Sequence, residues 1–351
     1  MEVLKLAAQS LVLLFFLTAA LGPAAAIEEK NDRQLFFQTF KRANDEFTAA
    51  HFVRAKQLYE EALAEGKKAE VNKPDLAVVL SDIAMIDKLS FHYEEAQNCL
   101  MDAIPLAGDD QALSALLQTR LSSVLRARGN LYGALEHAKS SVEIRSKIDA
   151  KGPLLAESLN NVAVLYLEMK KNGEAVGYCD QALALLKDAG KAGAAEESAV
   201  LSTKSAALIE GGDYDRARDL LAQVLTNQEK LFGPASPKLS STLNNLAMTY
   251  CKRSQYKEAE PYLLRALQLA ETCQPEDIPG AADASAALAD LYDRMGDRLR
   301  ADLNFKKAIE YSQAINYRHL ADIKEQYQSF LASGKAPVAQ QDPSAEKSPA
   351  K

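Results

Sequence analysis

Residues 241–267 read STLNNLAMTYCKRSQYKEAEPYLLRAL. Two apolar-periodic runs flank a polar turn, CKRSQY, and one small residue sits in each run, Ala247 and Ala259, twelve positions apart. Runs of this period predict two amphipathic helices folded against each other. Whether the hairpin is a local motif or the building unit decides whether to look for an active site or for a binding surface.

It is the unit. The second run recurs as HFVRAKQLYEEAL, YEEAQNCLMDAI, LYGALEHAKSSV, NGEAVGYCDQAL, YDRARDLLAQVL and RLRADLNFKKAI. Its fixed alanine falls at Ala55, Ala96, Ala134, Ala175, Ala217, Ala259 and Ala301, spaced 41, 38, 41, 42, 42 and 42 residues apart. Twelve residues before each stand Ala43, Ala84, Ser122, Ala163, Ser205, Ala247 and Ala289. Seven after each stand Ala62, Ala103, Ser141, Ala182, Val224, Ala266 and Ala308. Antiparallel helices reach the short end of the interaxial range only where the side chains at the crossing are small. Large apolar residues then fill the flanks, as Leu243, Leu246, Tyr250 and Leu263 do in the sixth unit and Leu288, Tyr292 and Phe305 in the seventh. Gly129, Gly212 and Gly296 mark the inter-helix turn in three units, where a tight reversal tolerates positive φ.

This pattern resembles the tetratricopeptide repeat, with its small residue, tyrosine, alanine, aromatic and alanine in order. The period near 42 is similar to the longer repeats of kinesin light chains, as are the phrases EKLFGPASPKLSSTLNNLAMTY and AKGPLLAESLNNVAVLY. The resemblance spans about residues 31–314. It implies an all-α, right-handed α-solenoid of about seven helix–turn–helix repeats with a C-terminal capping helix. Arg42 and Glu46 stand where apolar residues are usual, and Ala138 stands at an aromatic position. The long heptad region of kinesin light chains is missing and an export signal is present, so cargo transport is not expected.

The ends differ in character from the repeats. Leu11 to Leu21 is an apolar run broken only by Thr18, and Ala24 and Ala26 satisfy a small-x-small cleavage rule, which places the mature start near Ile27. A retained membrane anchor is the rival reading, since residues 6–26 carry no charge. Either way the chain is expected to be exported, to a periplasm, an organelle lumen or the outside. AINYRHLADIKEQYQSFL reads as a last amphipathic helix covering the exposed end of the array. GKAPVAQQDPSAEKSPAK, with no apolar period, reads as a disordered tail. The expected division is 1–26 signal or anchor, 27–314 repeats, 315–333 cap and 334–351 tail.

Composition narrows the chemistry. The 351 residues carry a net charge of −7 with the basic residues scattered, which argues against nucleic acid as a partner. Cys99, Cys179, Cys251 and Cys273 lie far apart within helical segments and read as small semi-buried thiols rather than a disulfide framework. The four histidines, His51, His92, His137 and His319, form no H-E-x-x-H pattern. No G-x-S-x-G, P-loop or G-x-G-x-x-G is present. No enzyme activity, metal or cofactor is expected.

The resemblance implies instead that the first helix of each repeat lines a groove in which a peptide lies. Matching positions are Phe37, Phe40, Lys41, Asn44 and Phe47 in the first repeat, Lys88 in the second, and Arg120 and Arg126 in the third. The pairs Asn160–Asn161 and Asn244–Asn245 follow, then Asp283, Asp290 and Asp293. An asparagine amide both donates to and accepts from an extended backbone, and the cations suit an acidic ligand. Two readings stand: an exported scaffold that binds a protein or acidic peptide through this face, and a structural or assembly component that associates through repeat edges.

Overall fold

A computed structural model describes residues 23–191, 194–273, 277–314 and 319–333. Residues 1–22 of the apolar N-terminal segment and the tail 334–351 lie outside the described residues, as do 315–318 of the cap phrase. Among the described residues there are fifteen α-helices and no strand. The chain divides into two units, one ending at Met169 and one beginning at Lys170.

The first unit holds α1 (Pro23–Thr48), α2 (Phe52–Lys68), α3 (Lys73–Leu89), α4 (Tyr93–Ala103), α5 (Gln111–Ala127), α6 (Leu131–Ile148) and α7 (Pro153–Glu168). The second holds α8 (Asn172–Asp188), α9 (Ala195–Glu210), α10 (Tyr214–Phe232), α11 (Ser240–Cys251), α12 (Tyr256–Thr272), α13 (Ile278–Arg294), α14 (Arg298–Ala314) and α15 (Leu320–Ala332). Within each unit every helix packs on the next in the chain, the α-solenoid arrangement that the pattern predicts. The residue near which cleavage is expected, Ile27, falls inside α1. No described helix is long and apolar enough to cross a membrane.

All the small residues of the three periodic positions are buried, none more than 5% exposed. A second periodic row packs beside them: Tyr59, Leu100, Ala138, Cys179, Leu221, Leu263 and Phe305, one per repeat and all buried. Ala138, small where an aromatic is usual, is as buried as the rest. The 38-residue interval has a local cause. Helix α4 stops at Ala103 and passes into a 3₁₀ turn, Ile104–Ala107, because Pro105 has no N–H to continue the α-helical ladder.

The turns are more regular than their residues. Five positions before each fixed alanine the backbone is left-handed: φ is +80° at Gly129, +84° at Gly212 and +79° at Gly296, and also +61° at Ala50, +63° at Phe91, +60° at Lys170 and +59° at Ser254. The following N–H reaches back to the helix, as His51 does to the Glu46 carbonyl (2.9 Å), His92 to Asp87 (2.8 Å) and Asn130 to Leu125 (2.9 Å). This is the six-to-one bond of a Schellman closure, which satisfies carbonyls left over at a helix end. A side chain at such a φ costs about 1–2 kcal/mol. Ser254→Gly is therefore expected to gain up to about 1 kcal/mol, after the larger entropy loss of glycine. Gly212→Ala should lose about 1 kcal/mol although nothing crowds the added methyl. Urea unfolding checks both signs.

Helix α15 covers the last hairpin. The ring of Phe305 lies 5.5 Å from Tyr327 and 5.3 Å from Phe330. The Arg298 guanidinium sits 4.0 Å over Phe330 and donates to the carbonyl of that residue at 2.9 Å. The Tyr327 hydroxyl donates to Asp302 at 2.6 Å. Removing residues 315–351 should uncover Phe305 and promote association, whereas removing 334–351 alone should leave the melting temperature unchanged. Sizing chromatography and thermal melts separate the two truncations.

Candidate functional site

The first helices of the repeats in the unit ending at Met169 are α1, α3, α5 and α7, and they carry the positions that the resemblance assigns to a first-helix face. In α1 the aromatic residues are turned partly into the hairpin. Phe40 stacks on the buried Phe36 at 6.1 Å and lies 5.8 Å from Tyr59, and Phe47 meets Phe52 at 5.6 Å. Phe37 packs edge-on against Phe36 at 4.8 Å. Asn44 accepts a hydrogen bond from the Tyr59 hydroxyl at 2.6 Å, so its amide oxygen is engaged within its own repeat. Lys41 is exposed.

Charges on α3, α5 and α7 link neighbouring repeats. Arg120 donates to Ser81 at 2.6 Å and to Asp82 at 2.8 Å. Its side chain is 20% exposed and that of Asp82 19%, so water screens the pair weakly. Burial pushes the Asp82 carboxyl up, against the pull of the guanidinium. Burial also pushes the Tyr59 hydroxyl up, helped by the Asp82 charge and opposed by Arg120. Hydrogen bonds thus join Asn44 to Tyr59 and Arg120 to Asp82, and the Asp82 charge acts on the Tyr59 hydroxyl between the two pairs.

Lys88 and Arg126 are placed differently. Lys88 donates to the Ser123 hydroxyl of the next repeat, and no carboxylate among the described residues pairs with it. Burial pushes the Lys88 ammonium down, and the positive charge of Arg126 pushes it further. Arg126 lies 3.2 Å from Glu168, and both side chains stay substantially exposed. On α7, Asn160 and Asn161 are half-buried, and the Asn160 amide oxygen is buried without a hydrogen-bond partner. These positions therefore hold the exposed Lys41, one clasped cation, Arg120, two cations that act on each other, Lys88 and Arg126, and a buried amide oxygen at Asn160 without a partner.

A family profile described as tetratricopeptide repeat matches residues 113–188, 196–272 and 239–314, more than half of the chain. The chain belongs to the tetratricopeptide repeat family. Its fold is similar to a tetratricopeptide repeat protein from Parabacteroides merdae, at 16% identity over 85% of this chain and 99% of that one, with a TM-score of 0.61. It is also similar to the nearly identical repeats of a Podosopora anserina kinesin light chain, at 20% identity over 58% of this chain and 98% of that one, TM-score 0.51. A Rap protein complexed with competence and sporulation factor matches at 14% identity over 85% of this chain and 86% of that one, TM-score 0.56. Identities this low speak for the fold. No curated protein matches the sequence.

In the second unit the tetratricopeptide positions hold the other pair, Asn244 and Asn245, both half-buried on α11. The Asn244 oxygen is buried without a partner, as at the same position of Asn160. On α13 and its turn, Asp290 pairs with Arg294 at 2.7 Å, and Asp293 lies 3.8 Å from Arg298.

Reading the sequence by composition alone misses the partners Ser81, Asp82, Ser123 and Glu168. One signal for them was available. Asp82 and Arg120 both lie two residues before the small residue of their first helices, Ala84 and Ser122, so aligning the units sets opposite charges side by side.

The cysteines form no disulfide. Burial pushes the Cys179 thiol up to about 12 and the Cys251 thiol up to about 11. Both thiolates are suppressed at neutral pH, and with them nucleophilic reactivity.

Proposed function

We propose that this protein is an exported interaction scaffold, and that the first-helix face of the unit ending at Met169 captures an extended segment carrying negative charge. The observation that carries the reading is the half-buried Lys88, which donates only to the Ser123 hydroxyl and has no paired carboxylate among the described residues, with the Arg126 charge acting on it and Glu168 held by Arg126 alone. An incoming carboxylate gains charge-assisted hydrogen bonds from Lys88 and, by displacing Glu168, from Arg126. The half-buried Asn161, next to Asn160 on α7, offers an amide to a peptide backbone farther along. Membership of a repeat family of the protein-interaction type supports the reading, as does the likeness to a Rap protein complexed with a factor.

Fluorescence anisotropy with acidic, neutral and basic synthetic peptides, each with a free or amidated C-terminus, tests it. Acidic peptides are expected to bind best. Combining Lys88→Glu with Arg126→Glu should weaken them at least tenfold, about 1.4 kcal/mol. Raising salt should weaken the wild type as well, since surface charges are screened within about 10 Å at 0.1 M. Affinity indifferent to both changes overturns the basic-face reading. Export rests on the apolar N-terminal segment. N-terminal sequencing of protein recovered outside the cytoplasm should begin near Ile27 if the segment is cleaved, and at its original start if it is an anchor.

A further inference from the structure

The turn edge of the unit ending at Met169 carries a row of exposed apolar side chains that the first-helix face does not use. Val53, Phe91 and Tyr132 are 78%, 77% and 76% exposed, and Leu89 is 49% exposed. They stand on the turns of three consecutive hairpins, and packed helices lie about 8–10 Å apart. At the matching turns of the other unit the chain has Lys170 and Gly173, Gly212 and Asp215, Ser254 and Lys257. Only Leu299 in the last turn is comparably exposed and apolar.

Phe91 is the strongest sign. It occupies the left-handed position, φ +63°, that three other turns fill with glycine. A bulky side chain held there is under strain, and Phe91 recovers little of the cost through burial. Its ring meets Tyr93 edge-on at 6.1 Å. Beside them lies a shallow depression of 470 Å³ between the second and third turns, lined by Phe91, Tyr93, Glu94, Glu95 and Arg128 among others.

We propose that this edge is a self-association surface, occupied by the same edge of a second copy. Area and charge both favour that occupant. Leu89, Phe91 and Tyr132, on the second and third turns, present on the order of 400 Å², within the size of the largest patch on a typical monomer, and Val53 extends the apolar edge at its margin. A standard interface buries roughly 800 Å² per partner, so the charged rim has to join the contact. The rim carries both signs, Glu94 and Glu95 on the first turn of α4 and Arg128 on the turn after α5. A two-fold axis between the second and third turns sets Phe91 against Tyr132 of the second copy. The same axis brings Glu94 and Glu95 to Arg128 of that copy, and the depression receives the incoming ring. A two-fold contact of this kind is isologous and closed, so it yields a dimer rather than a fibre.

Sedimentation velocity of the full chain in density-matched detergent tests the proposal. The wild type should be a dimer at micromolar concentration. Phe91→Gly should raise the dimer dissociation constant more than tenfold while leaving the melting temperature of the isolated chain unchanged or higher, because glycine relieves the strained φ. Tyr132→Ser should have the same effect on association. Arg128→Glu should weaken the dimer, and Glu94→Arg with Glu95→Arg in the same chain should restore it. A wild type that stays monomeric to about 100 µM overturns the proposal. So does a dimer that survives Phe91→Gly and Tyr132→Ser, which would assign the association to the apolar N-terminal segment or another surface.

Discussion

Replacing Ala247 or Ala259 with leucine is expected to destabilise the second unit by about 1–3 kcal/mol, the usual cost of overpacking a filled core. Both methyl groups are wholly buried where α11 crosses α12. The same cluster holds Leu243, Leu263, Ala266 and Tyr292, with Tyr250 and Tyr262 packed against it. The rings of Tyr250 and Tyr262 are stacked at 5.6 Å and do not open easily to admit a branched side chain. The two helices must therefore separate, and separation also disturbs the neighbouring α10 and α13, since each repeat is held only by those beside it. Lys252→Ala, an exposed change just past the end of α11, should cost under about 0.5 kcal/mol. Thermal melts of the three variants check the repeat register. Equal midpoints would mean that the small positions do not mark the crossings.

The crossings were legible because close approach constrains side-chain size at a fixed spacing, so the equivalents of Ala259 are all alanine and those of Ala247 are alanine or serine. The turns were legible only in part. Glycine announces the left-handed position at 129, 212 and 296, but Ala50, Phe91, Lys170 and Ser254 adopt the same backbone and look like ordinary turn residues. The Schellman hydrogen bonds set that geometry, and backbone bonds leave no mark on residue type. The candidate site shows the same division. Register places Phe40 and Phe47 on the first-helix face, yet long aromatic side chains reach sideways, and these meet Tyr59 and Phe52 of α2. Repeat position groups Lys88, Arg120 and Arg126 together, but their rotamers divide Arg120 from the other two. Arg120 reaches back to the carboxylate of the previous repeat, whereas Lys88 reaches forward to a hydroxyl.

That difference yields the second large effect. Arg120→Leu is expected to cost about 2–3 kcal/mol, because it strands the Asp82 carboxylate in a site that Arg120 now neutralises. The figure falls below the ~3–5 kcal/mol of a fully buried pair, since each partner keeps about one-fifth of its exposure. Arg126→Leu should cost under about 0.5 kcal/mol, because Arg126 and Glu168 are both largely in water. Acidity supplies an independent check. Burial already pushes the folded-state Asp82 carboxyl above its ordinary value, and removing the guanidinium pushes it higher still. A carboxyl raised in the folded state takes up its proton on folding, so its penalty is full above the folded-state pKa and falls away as pH drops through it. The deficit of Arg120→Leu should therefore narrow as pH falls from about 7 toward about 4, the carboxylate range. The deficit of Asp82→Asn, which has no proton to gain, should not narrow in that way. Urea titrations of the two variants across this range separate a stranded charge from a simple loss of packing. If both deficits stay flat with pH, Arg120 holds the repeats together by shape alone. Arg120→Glu would then become a fair probe of ligand binding beside Lys88 and Arg126.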